Sequence, residues 1–381
     1  MTLLAYEWRK LARLPALWGF LALCLAFNGL LLWEEDSLRQ PFNEASAIAE
    51  ELGQRVDGAF LEGLEDLPRT EYGDLVLSAA RDMTDIFEAY DTGELAGLYG
   101  GVVKDSPAAV RLMKWKYALL AERVDHLSRT GTAMDLYAGP VTHDAHQFLY
   151  DTLFRAVVTE SLLLGMLSML YLLGCEEQRR TVPLICASRT GRKLYGKKVL
   201  AGLTAAVFLY ILLAAVTLGV YFCLWDYGGI WGASVSSQFN YLTDMLFRRP
   251  FLTWEDFTVG GYLAAELTLG AALTAAFALL AAADGLLLRN VYASALVLAV
   301  VCFGGLGLTA GLAQAGLWTA YFVSLVHPSC VWLGLSGWFT ELGLSGAVPL
   351  QETVSTGLDL LVFALGTVLA LRLFRRKDIV T

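Results

Sequence analysis

Two acidic residues lie deep inside apolar segments, where a charged side chain is costly. Glu160 follows Asp151 by nine residues and Glu266 follows Asp256 by ten, so Glu266 lies about 15 Å along its helix. Ionisable groups at such depth either line a path across a membrane or pair with polar groups of neighbouring helices. Both interpretations stay open for Glu160 and Glu266, our two candidates for a translocation path.

A second pattern is the pair of imidazoles at His143 and His146, with the carboxylate of Asp144 between them. This spacing can direct ring nitrogens and a carboxylate toward a metal ion. The solvated end of a helix accounts for the same residues equally well, so we assign no metal site.

A third pattern imitates a nucleotide-binding loop. Residues 191–198 approach the phosphate-binding sequence GxxxxGK[ST], but Lys198 replaces the hydroxyl residue that would hold magnesium. No strand is predicted before the first glycine, and an apolar helix follows the second lysine. We therefore expect no catalytic residue and no cofactor in this chain. If the protein uses ATP, a separate chain must bind it.

The loop at 176–198 is the most informative stretch of the sequence. It carries seven basic residues between 179 and 198, yet Val182, Leu184 and Ile185 stand among them. Thr181 can cap a short helix that has a proline in its first turn. The apolar face of such a helix suits a groove on a partner protein, although a polybasic loop lying on lipid also explains the charges.

The chain that must position these elements has the composition of a membrane protein. Its 381 residues are 56% hydrophobic and 17% charged, against roughly 25% charged residues in soluble domains. The net charge of −9 argues against nucleic acid as a partner, because phosphate binding needs a concentrated basic face. The six cysteines form no CxxC pair, which argues against a disulfide framework or a structural zinc site.

Apolar stretches rich in Leu, Ala, Val and Gly predict an all-α membrane fold with six transmembrane helices. Each stretch is close to the length of about 20 residues that crosses a hydrocarbon core. Residues 290–340 contain no Asp, Glu, Lys or Arg, so this stretch alone is long enough for two crossings. Basic residues near both ends of the chain predict that both termini lie on the same side of the membrane, which requires an even number of crossings. We place the spans at 16–33, 151–174, 197–225, 257–283, 290–312 and 354–373.

Basic residues set the direction of the spans. They cluster before the first span, at 179–198, at Arg289 and after the last span. By the positive-inside rule these clusters face the cytoplasm, which predicts a multi-pass membrane protein with both termini inside. We expect the membrane to be a bacterial plasma membrane. The other cytoplasmic parts are 175–196, 284–289 and 374–381. The outer parts are 34–150, 226–256 and 313–353, the last as helices that dip into the outer leaflet.

Two further elements flank the first span. Residues 1–15 place Leu4, Trp8 and Leu11 on one helical face, with Glu7 among the charged residues on the others. This predicts an amphipathic helix in the inner membrane interface, in contact with lipid. Residues 34–150 are rich in charge, and their apolar residues follow helical rather than strand periodicity, which predicts an inserted helical extracellular domain.

The order of these parts resembles a permease subunit of an ABC transporter of the ABC-2 type. The similarity rests on an interfacial helix with a Glu, a large insertion after the first span, a second span ending in Glu, and a loop of the form E...T...L...SR.....K. In that family the loop forms a coupling helix that contacts a separate ATP-binding subunit. The resemblance implies this contact for Glu176, Glu177, Thr181, Leu184, Ile185, Ser188, Arg189 and Lys197.

The resemblance also implies an exporter in which the partner subunit binds ATP and magnesium and a second permease chain completes the path. Arg180 stands where a Gly before the Thr is usual in the family, so the local turn is expected to differ. The principal alternative is an ATP-independent membrane protein. It would be a proton-coupled carrier built on Glu160 and Glu266, or a sensor whose extracellular domain binds a ligand.

Overall fold

The computed structural model describes residues 2–137, 139–187, 191–238, 251–288 and 290–376. Within these ranges the regular structure is helical and contains no β-sheet. Extended residues pair only in isolated bridges, such as the one between Ser234 and Thr258. The predicted all-α class is confirmed.

Six of the helices are long and apolar enough to cross a membrane, as predicted. We number them span 1 to span 6 in chain order. The spans are Pro15–Glu34, Pro140–Gln178, Gly191–Leu224, Val259–Leu288, Val291–Gln314 and Gln351–Arg376.

Several helices extend beyond the apolar stretch that predicted them. Span 2 begins at Pro140 rather than at 151, and continues through a π-helical segment, Phe148–Phe154, into the helix Arg155–Gln178. His143 and His146, in its first turns, are buried against other parts of the chain. A hydrophobic stretch in the sequence predicts only the part of a helix that lipid can surround. The helix itself can continue further, where other parts of the protein cover its polar side chains.

Spans 2, 3 and 4 pack against one another, span 6 packs along span 4, and span 1 lies against spans 2 and 3. Small residues allow the close approach. A Cβ at Gly165 of span 2 would lie 3.0 Å from the Cβ of Ala206 in span 3, and one at Gly202 would lie 2.6 Å from the sulfur of Met169. Small residues let helix backbones come together in a membrane, so these two glycines fix the contact between spans 2 and 3.

The two ends of the bundle differ in what they carry. At one end, the helix Leu3–Ala12 packs on spans 2 and 3, and the ring of Phe374 from span 6 lies 4.1 Å from that of Tyr195 in span 3. We call this the loop end, because residues 176–198 connect spans 2 and 3 there. The opposite end, which we call the domain end, carries the inserted residues 35–137 and the segments 225–238, 251–258 and 315–350.

The inserted residues form a set of short helices with side-chain caps. Asp57, Thr70, Asp91 and Ser106 each accept a hydrogen bond from a backbone N–H in the first turn of the helix that follows. The left-handed Gly131 (φ 62°) ends the longest helix. The helices are Asp36–Leu52, Gly58–Asp66, Glu71–Asp82, Ile86–Ala89, Thr92–Val102 and Pro107–Thr130, followed by a 3-10 turn at Thr132–Met134.

These helices do not share one hydrophobic core. Those up to Asp82 bury residues such as Phe42 and Val76 in the same cluster as the spans. The long helix Pro107–Thr130 instead buries Met113 and Leu120 in a second cluster, together with Phe322 from the segment between spans 5 and 6. The insertion is therefore divided between the bundle and the later part of the chain.

The segment between spans 5 and 6 is an interrupted series of short helices. It contains the helices Trp318–Ser324 and Pro328–Leu333 and short 3-10 turns at Leu335–Gly337 and Gly343–Ser345. Trp338 is fully buried and donates its indole N–H to Val331 O at 2.9 Å. Its backbone carbonyl accepts a hydrogen bond from the Tyr262 hydroxyl at 3.0 Å. Protein therefore covers the irregular backbone here.

Candidate functional site

The loop between spans 2 and 3 contains a short helix, as its sequence predicts. The helix is Val182–Ala187, and the Ile185 N–H donates to Thr181 O at 3.1 Å. Before it, Arg180 adopts a φ of 57°, the left-handed region that glycine enters without strain. Arg180 thus makes the kind of turn for which a glycine is suited, at the position where the resembled family usually has one.

The helix presents an apolar residue to its surroundings. The Leu184 side chain is 75% exposed, Ile185 is half-buried, and Glu177 and Lys197 are exposed. Thr181 is half-buried and donates its backbone N–H to Glu176 O at 2.9 Å. Ser188 and Arg189, also expected to contact a partner, lie outside the described residues.

At the base of this loop lies a cluster of four charged side chains, Glu7, Lys10, Glu176 and Lys198, of which Lys10 is half-buried and the other three are buried. The Lys10 ammonium lies 2.8 Å from Glu7 Oε1 and 2.7 Å from Glu176 Oε1. The Lys198 ammonium pairs with the other oxygen of Glu176. We call this set the charge cluster. It joins the N-terminal helix, the end of span 2 and the start of span 3.

The burial of Glu176 bears on the role expected for it. Only 4% of Glu176 is exposed, and both of its carboxylate oxygens have lysine partners. The geometry fits a carboxylate that anchors the loop to the bundle, while Leu184 and Glu177 remain accessible. A direct contact between Glu176 and a partner protein stays a prediction.

Sequence reasoning missed two members of the charge cluster. Glu7 was expected on a polar helix face, yet it is fully buried because Lys10 neutralises it. The sequence counts Lys198 with the basic cluster at 179–198 and gives it no role of its own. The signal for its burial is its spacing, three residues from Tyr195 and four from Gly202. Residues at these spacings share a helix face, and both neighbours are on the packed face of span 3.

The apolar face of the N-terminal helix packs mainly on protein. Leu11 is buried, and the Trp8 indole donates to the Thr204 hydroxyl at 3.1 Å and meets the Phe208 ring edge-on at 5.6 Å. The contacts with span 3 thus cover the face that was expected to face lipid. Tyr6 remains exposed, on a different part of the helix surface.

The two carboxylates proposed to line a path lie in separate polar groups. Glu160 accepts a hydrogen bond from the Asn28 amide at 3.0 Å, and the same amide donates to the Thr217 hydroxyl at 3.0 Å. This contact links spans 1, 2 and 3. Glu266 is fully buried, and neither of its carboxylate oxygens has a hydrogen-bond partner in the described part of the chain. No described hydrogen bond or ion pair joins Glu160 to Glu266.

The two histidines at the start of span 2 take part in the packing of the domain end. His146 Nδ1 lies 2.8 Å from the Tyr137 hydroxyl, and His143 Nδ1 lies 2.8 Å from Gln238 Oε1. Both rings are buried, although Asp144 between them is exposed. Within the described ranges, no group of three His, Cys, Asp or Glu residues is arranged to hold a metal ion.

A second buried ion pair holds the domain end together. Lys116 of the helix Pro107–Thr130 lies 2.5 Å from Glu341 Oε1 and donates to the carbonyls of Gly343 and Gly346 at 2.7 and 2.9 Å. The Tyr117 hydroxyl donates to the same carboxylate oxygen at 3.1 Å. Burial and the charge of Glu341 raise the pKa of Tyr117 well above its usual range, so the hydroxyl keeps its proton.

A solvent-facing contact reinforces this attachment. Arg123 Nη1 lies 2.6 Å from one Asp256 oxygen, and His126 Nε2 lies 3.0 Å from the other. Partial burial acts to raise the pKa of Asp256, but the hydrogen bonds and positive charge of Arg123 and His126 outweigh it and leave that pKa below its usual value. The carboxylate is therefore ionised at neutral pH.

Beside these contacts is a cavity of about 730 Å³. Its walls come from the start of span 2, the end of span 5, the start of span 6 and the segment between spans 5 and 6. Polar residues that line it include His146, Asp151, Glu341 and Glu352. A cavity of this size accommodates a small organic molecule.

Comparisons with known proteins do not identify the family. No protein-family model, curated protein or solved structure matches this chain.

Proposed function

We propose that this chain is the permease subunit of an ATP-driven exporter of the ABC-2 type, and that residues 176–198 couple it to a separate ATP-binding subunit. The six-span helical bundle is compatible with a transporter. The observation that carries the proposal is the exposed Leu184, on a short helix that begins six residues after Glu176, the residue that the charge cluster fixes to the bundle.

The physical argument concerns the fate of that apolar side chain. Leu184 lies outside the predicted spans, so neither span 2 nor span 3 covers it. Burying one such side chain in a partner groove contributes roughly 1.5 to 3 kcal/mol, which corresponds to about tenfold or more in affinity. Because the charge cluster fixes the base of the loop, a movement of the helix imposed by the partner subunit would be transmitted to spans 2 and 3.

The proposed function implies which side of the membrane each end of the bundle faces and which subunits bind this chain. The loop end, with its basic residues, would face the cytoplasm, and the domain end would face outward. The partner subunit would bind ATP and magnesium, a second permease chain would complete the path, and lipid would surround the spans. This chain would then need no catalytic residue of its own.

The test is a co-purification of the chain with the ATPase encoded beside it. Leu184→Asp should fold and insert normally, since the side chain is exposed, but should release the ATPase and abolish ATP-driven transport. Leu98→Asp is the matched control, because Leu98 is 62% exposed on the inserted residues at the domain end. Normal recovery of the ATPase with Leu184→Asp would show that the coupling assignment is wrong.

The buried Glu266 carboxylate favours the second candidate, an ATP-independent proton-coupled carrier. An acidic group in a span that has no ion-pair partner among the described residues suits a proton-carrying role. Transport in proteoliposomes separates the two functions. An exporter of the first kind needs the ATPase and ATP, whereas a carrier runs on a proton gradient alone and loses that activity in Glu266→Gln.

A further inference from the structure

The cavity at the domain end has walls suited to an apolar ligand. Leu306 and Ala310 of span 5 form one side, and Leu325, Val331 and Trp338 of the following segment form another. The cavity lies at the opposite end of the bundle from the coupling loop. What it binds is therefore independent of whether the chain works with an ATPase.

The polar part of the lining is acidic and carries oxygens without partners. Glu352, at the start of span 6, is 3% exposed, and Glu341 is 1% exposed. The Oε2 atom of each is buried and has no hydrogen-bond partner among the residues that the structure describes. A buried acceptor without a donor is costly, so a ligand that supplies donors would be stabilised here.

The charges that line the cavity are unevenly compensated. Glu341 pairs with Lys116 at 2.5 Å, and Asp151 lies 3.7 Å from Arg155. Glu352 has no ion-pair partner in the described ranges. Its Oε1 accepts a 3.4 Å hydrogen bond from the Thr353 hydroxyl, and the backbone N–H groups of Phe339 and Thr353 also interact with its carboxyl group. Among the described residues, the site thus holds an acidic group without a cationic partner, and hydrogen-bond acceptors without donors, in the wall of an apolar cavity.

We propose that this cavity binds an organic cation, a protonated amine attached to an apolar body. The ammonium group would donate to Glu352, and the apolar body would lie against Trp338 and its neighbours. The volume of about 730 Å³ is far larger than a metal ion and its ligands require. Charge-assisted hydrogen bonds to a buried carboxylate are stronger than neutral ones, so the amine should dominate recognition.

The test compares three ligands that share an indole ring and differ in side-chain charge. Tryptamine is cationic at pH 7, 3-ethylindole is neutral, and indole-3-propionate is anionic. Binding to the purified full chain in nanodiscs is measured by calorimetry, with empty nanodiscs subtracted. We expect tryptamine to bind at least about tenfold tighter than either analogue. Equal affinity for tryptamine and 3-ethylindole would overturn the proposal.

Variants locate the site. Glu352→Gln keeps the shape of the side chain and removes its charge, so tryptamine should bind at least about tenfold more weakly while 3-ethylindole is unaffected. Glu255→Gln is the control, since Glu255 is an exposed acid at the same end of the bundle. If Glu352→Gln does not fold, Ala313→Trp fills the cavity without changing its charge and should weaken tryptamine binding equally. Unchanged tryptamine binding in the folded variant would show that the cation binds elsewhere or that Glu352 is a neutral acid.

Discussion

Lys10 and Glu176, 166 positions apart in the chain, lie 2.7 Å from each other at the loop end of the bundle. The contact ties the N-terminal helix to the last turn of span 2, directly before the loop that we propose as the coupling element. Lys198 holds the same carboxylate from span 3. A single carboxylate therefore fixes three elements relative to one another, and the base of the loop cannot move without them.

Removing the charge of Glu176 should destabilise the protein. Glu176→Gln leaves the Lys198 and Lys10 ammonium groups with one carboxylate fewer, and breaking a buried pair by removing one partner costs about 3 kcal/mol. Denaturant unfolding in mixed micelles measures the loss. Glu177→Gln, at the exposed neighbouring position, should change the free energy of unfolding by less than about 0.5 kcal/mol.

A double variant checks that the effect of Glu176→Gln comes from this ion pair. Lys198→Met combined with Glu176→Gln should be less destabilising than the sum of the two single changes, because each alone leaves a partner uncompensated. Strict additivity would mean that the two side chains act independently.

The Lys116–Glu341 pair should stabilise the attachment of the helix Pro107–Thr130. Lys116→Met leaves the buried Glu341 carboxylate without its cation, at a cost of about 3 kcal/mol. Hydrogen exchange should therefore accelerate both in that helix and near Glu341. Lys114→Met, an exposed lysine on the same helix, is the control. Faster exchange confined to the helix would contradict a shared attachment.

The sidedness of the bundle can be tested by thiol labelling in a cysteine-free background. Glu94→Cys, exposed on the inserted residues, should react with a membrane-impermeant maleimide in intact cells, whereas Glu177→Cys at the loop end should react only after lysis. The basic clusters at the loop end account for the expected orientation. Labelling of Glu177→Cys in intact cells would reverse the topology and exclude a cytoplasmic ATPase as the partner of this loop.

The number and approximate positions of the spans could be predicted from the sequence, because lipid requires long apolar helices whatever their neighbours are. The short loop helix could also be predicted, since Thr181 and Pro183 are local signals. The partners of buried charges could not be predicted. The periodicity of span 3 places Lys198 on a packed face, but nothing in the sequence says that Glu176 and Glu7 lie opposite.

The same limit applies to the carboxylates inside the spans. Depth in the helix marks both Glu160 and Glu266 as unusual, yet only the packing of span 1 shows that Asn28 donates to Glu160. The sequence does not predict the cavity at the domain end, because residues far apart in the chain, such as His146, Phe251 and Leu306, form its walls. Local patterns specify helices, whereas sites depend on contacts between distant residues.

The division of the insertion between two hydrophobic clusters has a consequence for biosynthesis. Lys116 is separated from Glu341 by 225 positions, which a ribosome translates in about 10 to 45 s at roughly 5 to 20 residues per second. During that time the apolar face of the helix Pro107–Thr130 lacks the residues between spans 5 and 6 that later cover it. The apolar face of this helix must therefore be kept from aggregating until the C-terminal third of the chain has been translated.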